Sequence, residues 1–155
     1  MATVKLNLGQ VKAEAVKACR VGILACAQTV AESARKNMTK GAKLGPRRYV
    51  RSLPGQPPSI QTGNLRRSIV STSTGNLTAT AGTAVNYGKF LEYGFTMRPR
   101  RTRHRTPKIG VRRVLPRPWL LPALRRERAK LEGVFVESAR RVLRRFAISA
   151  LGGAR

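Results

Sequence analysis

The sequence predicts an α+β fold: a long N-terminal helix, a β-hairpin or small antiparallel sheet, a short central helix, an extended basic arm and a C-terminal helix. Three observations lead there. Apolar and small residues recur at helical spacing toward both ends of the chain. A Ser/Thr-rich stretch folds back around a Gly-Asn pair, and two runs dense in Pro, Gly and Arg interrupt every periodicity. The 155 residues are the length of one domain (1–155), with long loops at about 39–61 and 95–118. A chain of this size buries roughly 70% of the surface its unfolded form exposes. With 41% hydrophobic residues but only 5% aromatic, the core is expected to be thin and rich in Ala, Val and Leu.

Val4, Leu6 and Leu8 alternate with Lys5 and Asn7, which suggests a short strand or extended arm before a helix that begins near Gly9. From there to about Asn37, Val11, Ala15, Cys19, Cys26 and Val30 recur on one face, and Gly22 with many alanines allows another element to come close. Gly41, Gly45, Pro46, Pro54, Gly55, Pro57 and Pro58 then mark a long positive loop. Residues 68–74 and 77–81 flank Gly75-Asn76, a pair suited to positive φ in a two-residue hairpin turn. Residues 86–93, closed by Gly94, read as a short helix. Trp119-Leu-Leu-Pro122 leads into the last helix, with Leu124, Leu131, Phe135, Val142 and Phe146 on one face and Gly152-Gly153 at its end.

Charge restricts function more than the elements do. There are 32 Lys and Arg against 6 acids, all Glu, for a formal net charge of +26. Such a charge repels itself and implies a polyanion or an acidic protein surface close by in the working state. Nine cations and no acid fall between residues 98 and 117: Arg98, Arg100, Arg101, Arg103, Arg105, Lys108, Arg112, Arg113 and Arg117. This arm admits three readings, namely a solvated loop, a phosphate-contacting element, or an arm that docks on an acidic protein neighbour. Only Phe95 is available nearby to stack on a base, so any nucleic-acid contact would be to phosphate and blind to sequence. The C-terminal helix adds the one-sided cluster Arg140, Arg141, Arg144 and Arg145.

Catalysis finds no constellation. His104 is the sole histidine and sits among five arginines, with no carboxylate to orient it as a base. Cys19 and Cys26 lie seven apart on one helix, about 10 Å along its axis, too far for a disulfide and wrongly spaced for a zinc pair. They read as small core residues in a reducing compartment. Phosphate-loop, dinucleotide and nucleophile-elbow patterns are missing. No apolar run reaches the ~18 residues of a membrane span. Neither a cofactor nor a metal is expected. Glu92, the one acid between Glu32 and Glu127, reads most simply as the partner of an arginine, within the subunit or across a contact.

Three segments in order carry a resemblance. They are Pro58-Ser-Ile-Gln-Thr62-Gly63-Asn-Leu65-Arg66-Arg-Ser68-Ile69, then Gly82 through Tyr87 and Glu92 to Gly94, then Pro116-Arg-Pro118-Trp119-Leu-Leu-Pro122-Ala-Leu124. Together they resemble the minor tail component, or neck and tail-completion, family of long-tailed bacteriophages, over roughly residues 5 to 148. Gly88 stands where that family usually has Ala, Trp119 where it usually has Phe, and Phe95 is inserted before Thr96. The resemblance implies a structural virion protein, assembled in the bacterial host cytoplasm. It would form a homo-oligomeric ring of six at the head-to-tail junction, between connector or head-completion proteins and the tail terminator or tail tube. It supplies no catalytic residue. The motif positions are expected to specify fold: Thr62-Gly63 turning into the first strand, Glu92 holding an arginine, and residues 117–122 locking the arm's return. The rival expectation is a free phosphate-contacting nucleic-acid-binding protein of ribosomal or chromatin-like type.

Overall fold

The computed structural model describes residues 8–38, 43–45, 48–49, 51–98 and 111–152. It is mixed α and β. The element order is α1 (Leu8–Asn37), β1 (Lys43–Gly45), β2 (Arg48–Tyr49), α2 (Asn64–Ser68), β3 (Ile69–Gly75), β4 (Thr78–Thr83), α3 (Tyr87–Tyr93), β5 (Phe95–Met97), β6 (Arg112–Val114) and α4 (Leu121–Gly152). Three antiparallel two-stranded sheets result, β1-β2, β3-β4 and β5-β6. The arm expected from Val4 to Asn7 lies outside the described residues, and Leu8 opens α1.

The long helices α1 and α4 run antiparallel. Gly22 meets Phe135, Cys26 donates from Sγ to the Leu131 carbonyl at 3.3 Å, Ser33 donates to Glu127 at 3.0 Å, and Arg126 donates to Asn37 at 2.6 Å. Small residues make this approach possible. A Cβ on Gly22 would stand 2.6 Å from the Phe135 ring and 3.1 Å from the Phe135 carbonyl oxygen. The β3-β4 hairpin lies along another side of α1. Arg35 donates to the carbonyl of Ile69 at the start of β3, and Arg20 donates to the Asn76 carbonyl at 3.1 Å and to its side-chain oxygen at the hairpin tip. The fifteen helical steps from Arg20 to Arg35 rise about 22 Å. The seven residues of β3 span about the same length, so helix and strand are matched.

The buried cluster comprises Ala31, Ala34, Met38, Leu65, Ile69, Trp119 and Ala123. Ile69 is its one large side chain with no exposure, worth roughly 1.5–3 kcal/mol of burial. Of the ten buried hydrophobic residues, five are alanines (Ala18, Ala27, Ala31, Ala34 and Ala123). The thin, alanine-rich core expected from composition is therefore present.

Several expectations are corrected. The buried face of α1 is Ala18, Gly22, Ala27, Val30, Ala31, Ser33 and Ala34, while Val11 and Ala15 are exposed. Close helix packing selects the small side chains, and the hairpin stops at Arg20, short of the first turns. On α4, Leu124 is exposed and Ala123 is fully buried in the cluster that holds Ala31 and Ala34 of α1; Leu131, Phe135, Val142 and Phe146 are half-buried. The hairpin turn is Asn76-Leu77 rather than Gly75-Asn76. Gly75 pairs with Thr78, no residue in the turn has positive φ, and a register shift between Ser73 and Gly75 absorbs the difference. The expected long loop at 39–61 contains β1 and β2, and the basic arm follows β5 and includes its partner strand β6. Thr62-Gly63 leads into the one-turn helix α2, and only then into β3.

Candidate functional site

The three motif segments meet at one joint. Gly63 holds φ 75°, a left-handed conformation that L side chains resist, and sends the chain into α2. There Arg67 ties the turn through Thr62 O at 3.1 Å and Asn64 Oδ1 at 2.7 Å. Leu65 enters the core, while Arg66 stays exposed. Ser68 closes the turn by donating to Leu65 O at 2.9 Å, and its hydroxyl lies 2.6 Å from that of Thr83. Thus Thr62, Gly63, Leu65 and Ser68 join α2 to the hairpin, and Arg66 has no part in that bonding.

The second segment supplies α3 and Gly94. At φ 72° and ψ 175°, Gly94 occupies a region essentially closed to other residues, and a Cβ there would stand 2.6 Å from Val114 O. The glycine therefore lets β5 leave α3 directly beneath β6. Gly88 is buried, and a Cβ there would collide with Thr83 Cγ2. Its carbonyl accepts from Trp119 Nε1 at 3.1 Å, a bond that phenylalanine at this position would lack. Tyr87 and Tyr93 are exposed.

Among the described residues Glu92 is bonded to backbone N–H groups and to no arginine, which corrects the expectation of an arginine partner within the described subunit. Its Oε2 accepts from the backbone N–H of Trp119 at 2.7 Å and of Leu120 at 3.0 Å, and its Oε1 accepts from Leu121 N–H at 2.9 Å. The carboxylate is a cap on α4 supplied from a distant helix. The first N–H groups of a helix have no intrahelical acceptor, and the positive end of the helix dipole favours an anion. No Ser, Thr, Asp or Asn precedes Leu121 between residues 111 and 120 to cap it locally. Pro122, in the first turn, has no N–H to satisfy, and the helical ladder is under way where Leu124 N–H donates to Leu120 O at 2.9 Å. That absent local cap, beside a lone glutamate in a signature segment, is the signal by which sequence could have found the interaction.

The third segment completes the joint. Arg117 donates from its backbone to Leu91 O at 2.6 Å and from Nε to Ser52 O at 3.0 Å. Pro118 is half-buried and Trp119 is 3% exposed. Of the arm residues, Arg98, Arg112 and Arg113 are exposed on or beside the β5-β6 hairpin, and Arg117 alone is built into the joint. Arg100, Arg101, Arg103, Arg105 and Lys108, with His104, lie outside the described residues. Sequence reasoning also missed Arg20 and Arg35, which pin the hairpin to α1 across distances no local pattern encodes.

Next to the joint is a cavity of about 550 Å³, floored by apolar side chains from α2, α3, β5 and β6, with Arg51, Arg66 and Arg117 in its wall. Among the described residues no group of His, Cys, Asp and Glu is arranged to hold a metal. Both cysteines are free thiols, and burial pushes that of Cys26 above its ordinary value. No helix among the described residues is long and apolar enough to cross a membrane.

Most of the signature residues spend their polar groups on their own fold, in a highly basic chain with a thin core. The chain belongs to a bacteriophage tail-component family: residues 2–94 match the family model described as "Bacteriophage HK97-gp10, putative tail-component". The tail-component relationship expected from the three segments is thereby established over the first two of them. No curated protein and no solved structure matches the chain. Membership associates the chain with the virion and with other phage structural proteins.

Proposed function

We propose that the chain forms a ring, of six copies, at the head-to-tail junction of a tailed phage or phage-like particle, joining the connector to the end of the tail. One observation carries the reading beyond family membership: the protomer leaves much of its apolar surface unburied. Among the described residues seventeen large hydrophobic residues are exposed, including Tyr93 at 80%, Leu77 at 50%, Val70 at 49% and Phe90 at 43%. Scattered exposed apolar residues are ordinary, but here they outnumber the five large hydrophobic residues that are buried among the described residues, Val30, Met38, Leu65, Ile69 and Trp119. Subunits in a ring bury the same patch on each copy against a different patch on the next, which suits a chain whose own core is thin. A net charge of +26 adds a requirement for acidic neighbours or nearby DNA phosphate. The arm from Arg98 to Arg117 serves the acidic protein neighbours, namely head-completion, tail-terminator or tail-tube proteins.

The test is a null mutation followed by electron microscopy of the lysate. The junction reading expects DNA-filled heads and finished but separate tails, restored to whole particles by the gene supplied in trans. Whole particles in the null lysate would reject it and favour the free nucleic-acid binder.

A further inference from the structure

The cavity beside the joint has the make-up of a peptide-docking site. At about 550 Å³ it falls within the roughly 300–1,000 Å³ of ligand-sized clefts. Its apolar floor includes Met38, Leu65, Leu91, Phe95, Met97 and Val114. Phe95 and Met97 are two apart on β5, and Phe95 pairs with Val114 on β6, so all three project from one face of the hairpin. Met97 pairs with Arg112, which places a further cation on that face.

The wall carries charge of one sign. Arg51, Arg66 and Arg117 line the cavity, and no Asp or Glu does. None of the three arginines is in a salt bridge among the described residues, where the three bridges present all lie within α1 or α4. The buried hydroxyl of Ser52, also in the lining, has no hydrogen-bond partner among the described residues. Among the described residues β5 pairs with β6 alone, and the outer edge of a two-stranded sheet is the usual template for an added strand.

We propose that this cavity docks an extended segment of a neighbouring virion protein in which apolar residues alternate with acidic ones. The apolar side chains enter the floor, and the carboxylates meet Arg51, Arg66 and Arg117. Charge complementarity selects this occupant over a second copy of the chain, which carries only 6 acids, all Glu, against 32 cations and has none between Glu32 and Glu92. The inference rests on the reading that the chain works among other virion proteins.

The test uses the full-length chain at about 150 mM salt, where exposed charges are screened beyond about 8 Å. The probe is a fluorescein-labelled peptide, Glu-Phe-Glu-Leu-Glu-Leu, read by anisotropy against Glu-Gly-Glu-Gly-Glu-Gly of equal charge. The expected result is at least tenfold tighter binding of the apolar peptide. The double variant Arg51→Gln/Arg66→Gln should lose at least tenfold, whereas Arg140→Gln/Arg144→Gln, which removes the same charge from α4, should lose less than twofold. Met97→Ala should weaken the apolar peptide and leave the glycine peptide unchanged. Equal binding of the two peptides, or equal loss in the two double variants, would overturn the proposal in favour of diffuse charge attraction. So would self-association of the chain that Arg51→Gln/Arg66→Gln abolishes, since the occupant would then be a second copy. The junction reading fails separately: whole particles from the null strain, with the peptide selectivity intact, would remove that reading and leave the docking site standing.

Discussion

Replacing Glu92 tests the joint where it is most specific. Glu92→Ala removes the acceptor of three backbone N–H groups at the start of α4. Each hydrogen bond to a charged group is worth about 1.5–3 kcal/mol, but three donors sharing two oxygens do not add. A better scale is the loss of a helix cap, about 1–2 kcal/mol, with about 0.3–1 kcal/mol for the charge at the helix N-terminus. Together they give a destabilisation of about 1.3–3 kcal/mol, or a fall in Tm of about 3–12 °C at this chain length. Glu92→Gln keeps one acceptor oxygen without the charge and should lose about half as much. Glu92→Asp, shorter by one methylene, should resemble the alanine variant. The assay is urea unfolding of the full chain followed by circular dichroism at 222 nm, which is dominated by α1 and α4. A Glu92→Ala variant within about 0.5 kcal/mol of the parent, the ordinary range for surface substitutions, would refute the cap.

Further outcomes follow from the same geometry. Gly22→Ala gains about 1 kcal/mol of helix propensity but drives a Cβ against the Phe135 ring and carbonyl, so thermal unfolding should show a net loss of about 1–2 kcal/mol; Phe135→Ala in the same chain should shrink that loss. Gly94→Ala combines a φ of 72° with a 2.6 Å approach to Val114 O and should cost at least about 3 kcal/mol, read as the loss of a cooperative melt at moderate temperature. Burial raises the Cys26 thiol, so the native state binds the proton more tightly than the unfolded state does. Its contribution to stability is complete below the ordinary thiol value of 9.0 and is lost as pH rises through the native one; the Cys26→Ser variant should show a flatter decline in urea midpoint across that alkaline window.

The long helices and the hairpin were legible because each advertises itself locally, through helical recurrence or a turn between β-rich runs. What was illegible depended on partners far along the chain. The close approach expected at Gly22 and the alanines of α1 is present, and Val30 of the expected face is buried; Val11 and Ala15 are exposed because nothing among the described residues packs on the first turns. The turn slipped by one residue because Gly75 looked like a positive-φ position, and the register shift beside it has no sequence mark. Glu92 was recognised as important but assigned to an arginine. In so basic a chain a carboxylate has many cations to choose from, and the helix end that holds it is a backbone feature. The motif residues were found by resemblance, and the structure gives most of them a bonding or packing role: Gly63 and Gly94 by conformation, Leu65 and Trp119 by burial, Ser68 and Glu92 by hydrogen bonds.

The central claim is that this tail-component chain works as a ring at the head-to-tail junction. Quantitative mass spectrometry of density-purified particles tests it most directly, by measuring the copies of this chain relative to the major capsid protein. The account predicts a few copies per particle in a ring-like multiple, six for the ring proposed. Absence from intact tailed particles, or an abundance matching the repeated tail-tube subunit, would contradict it.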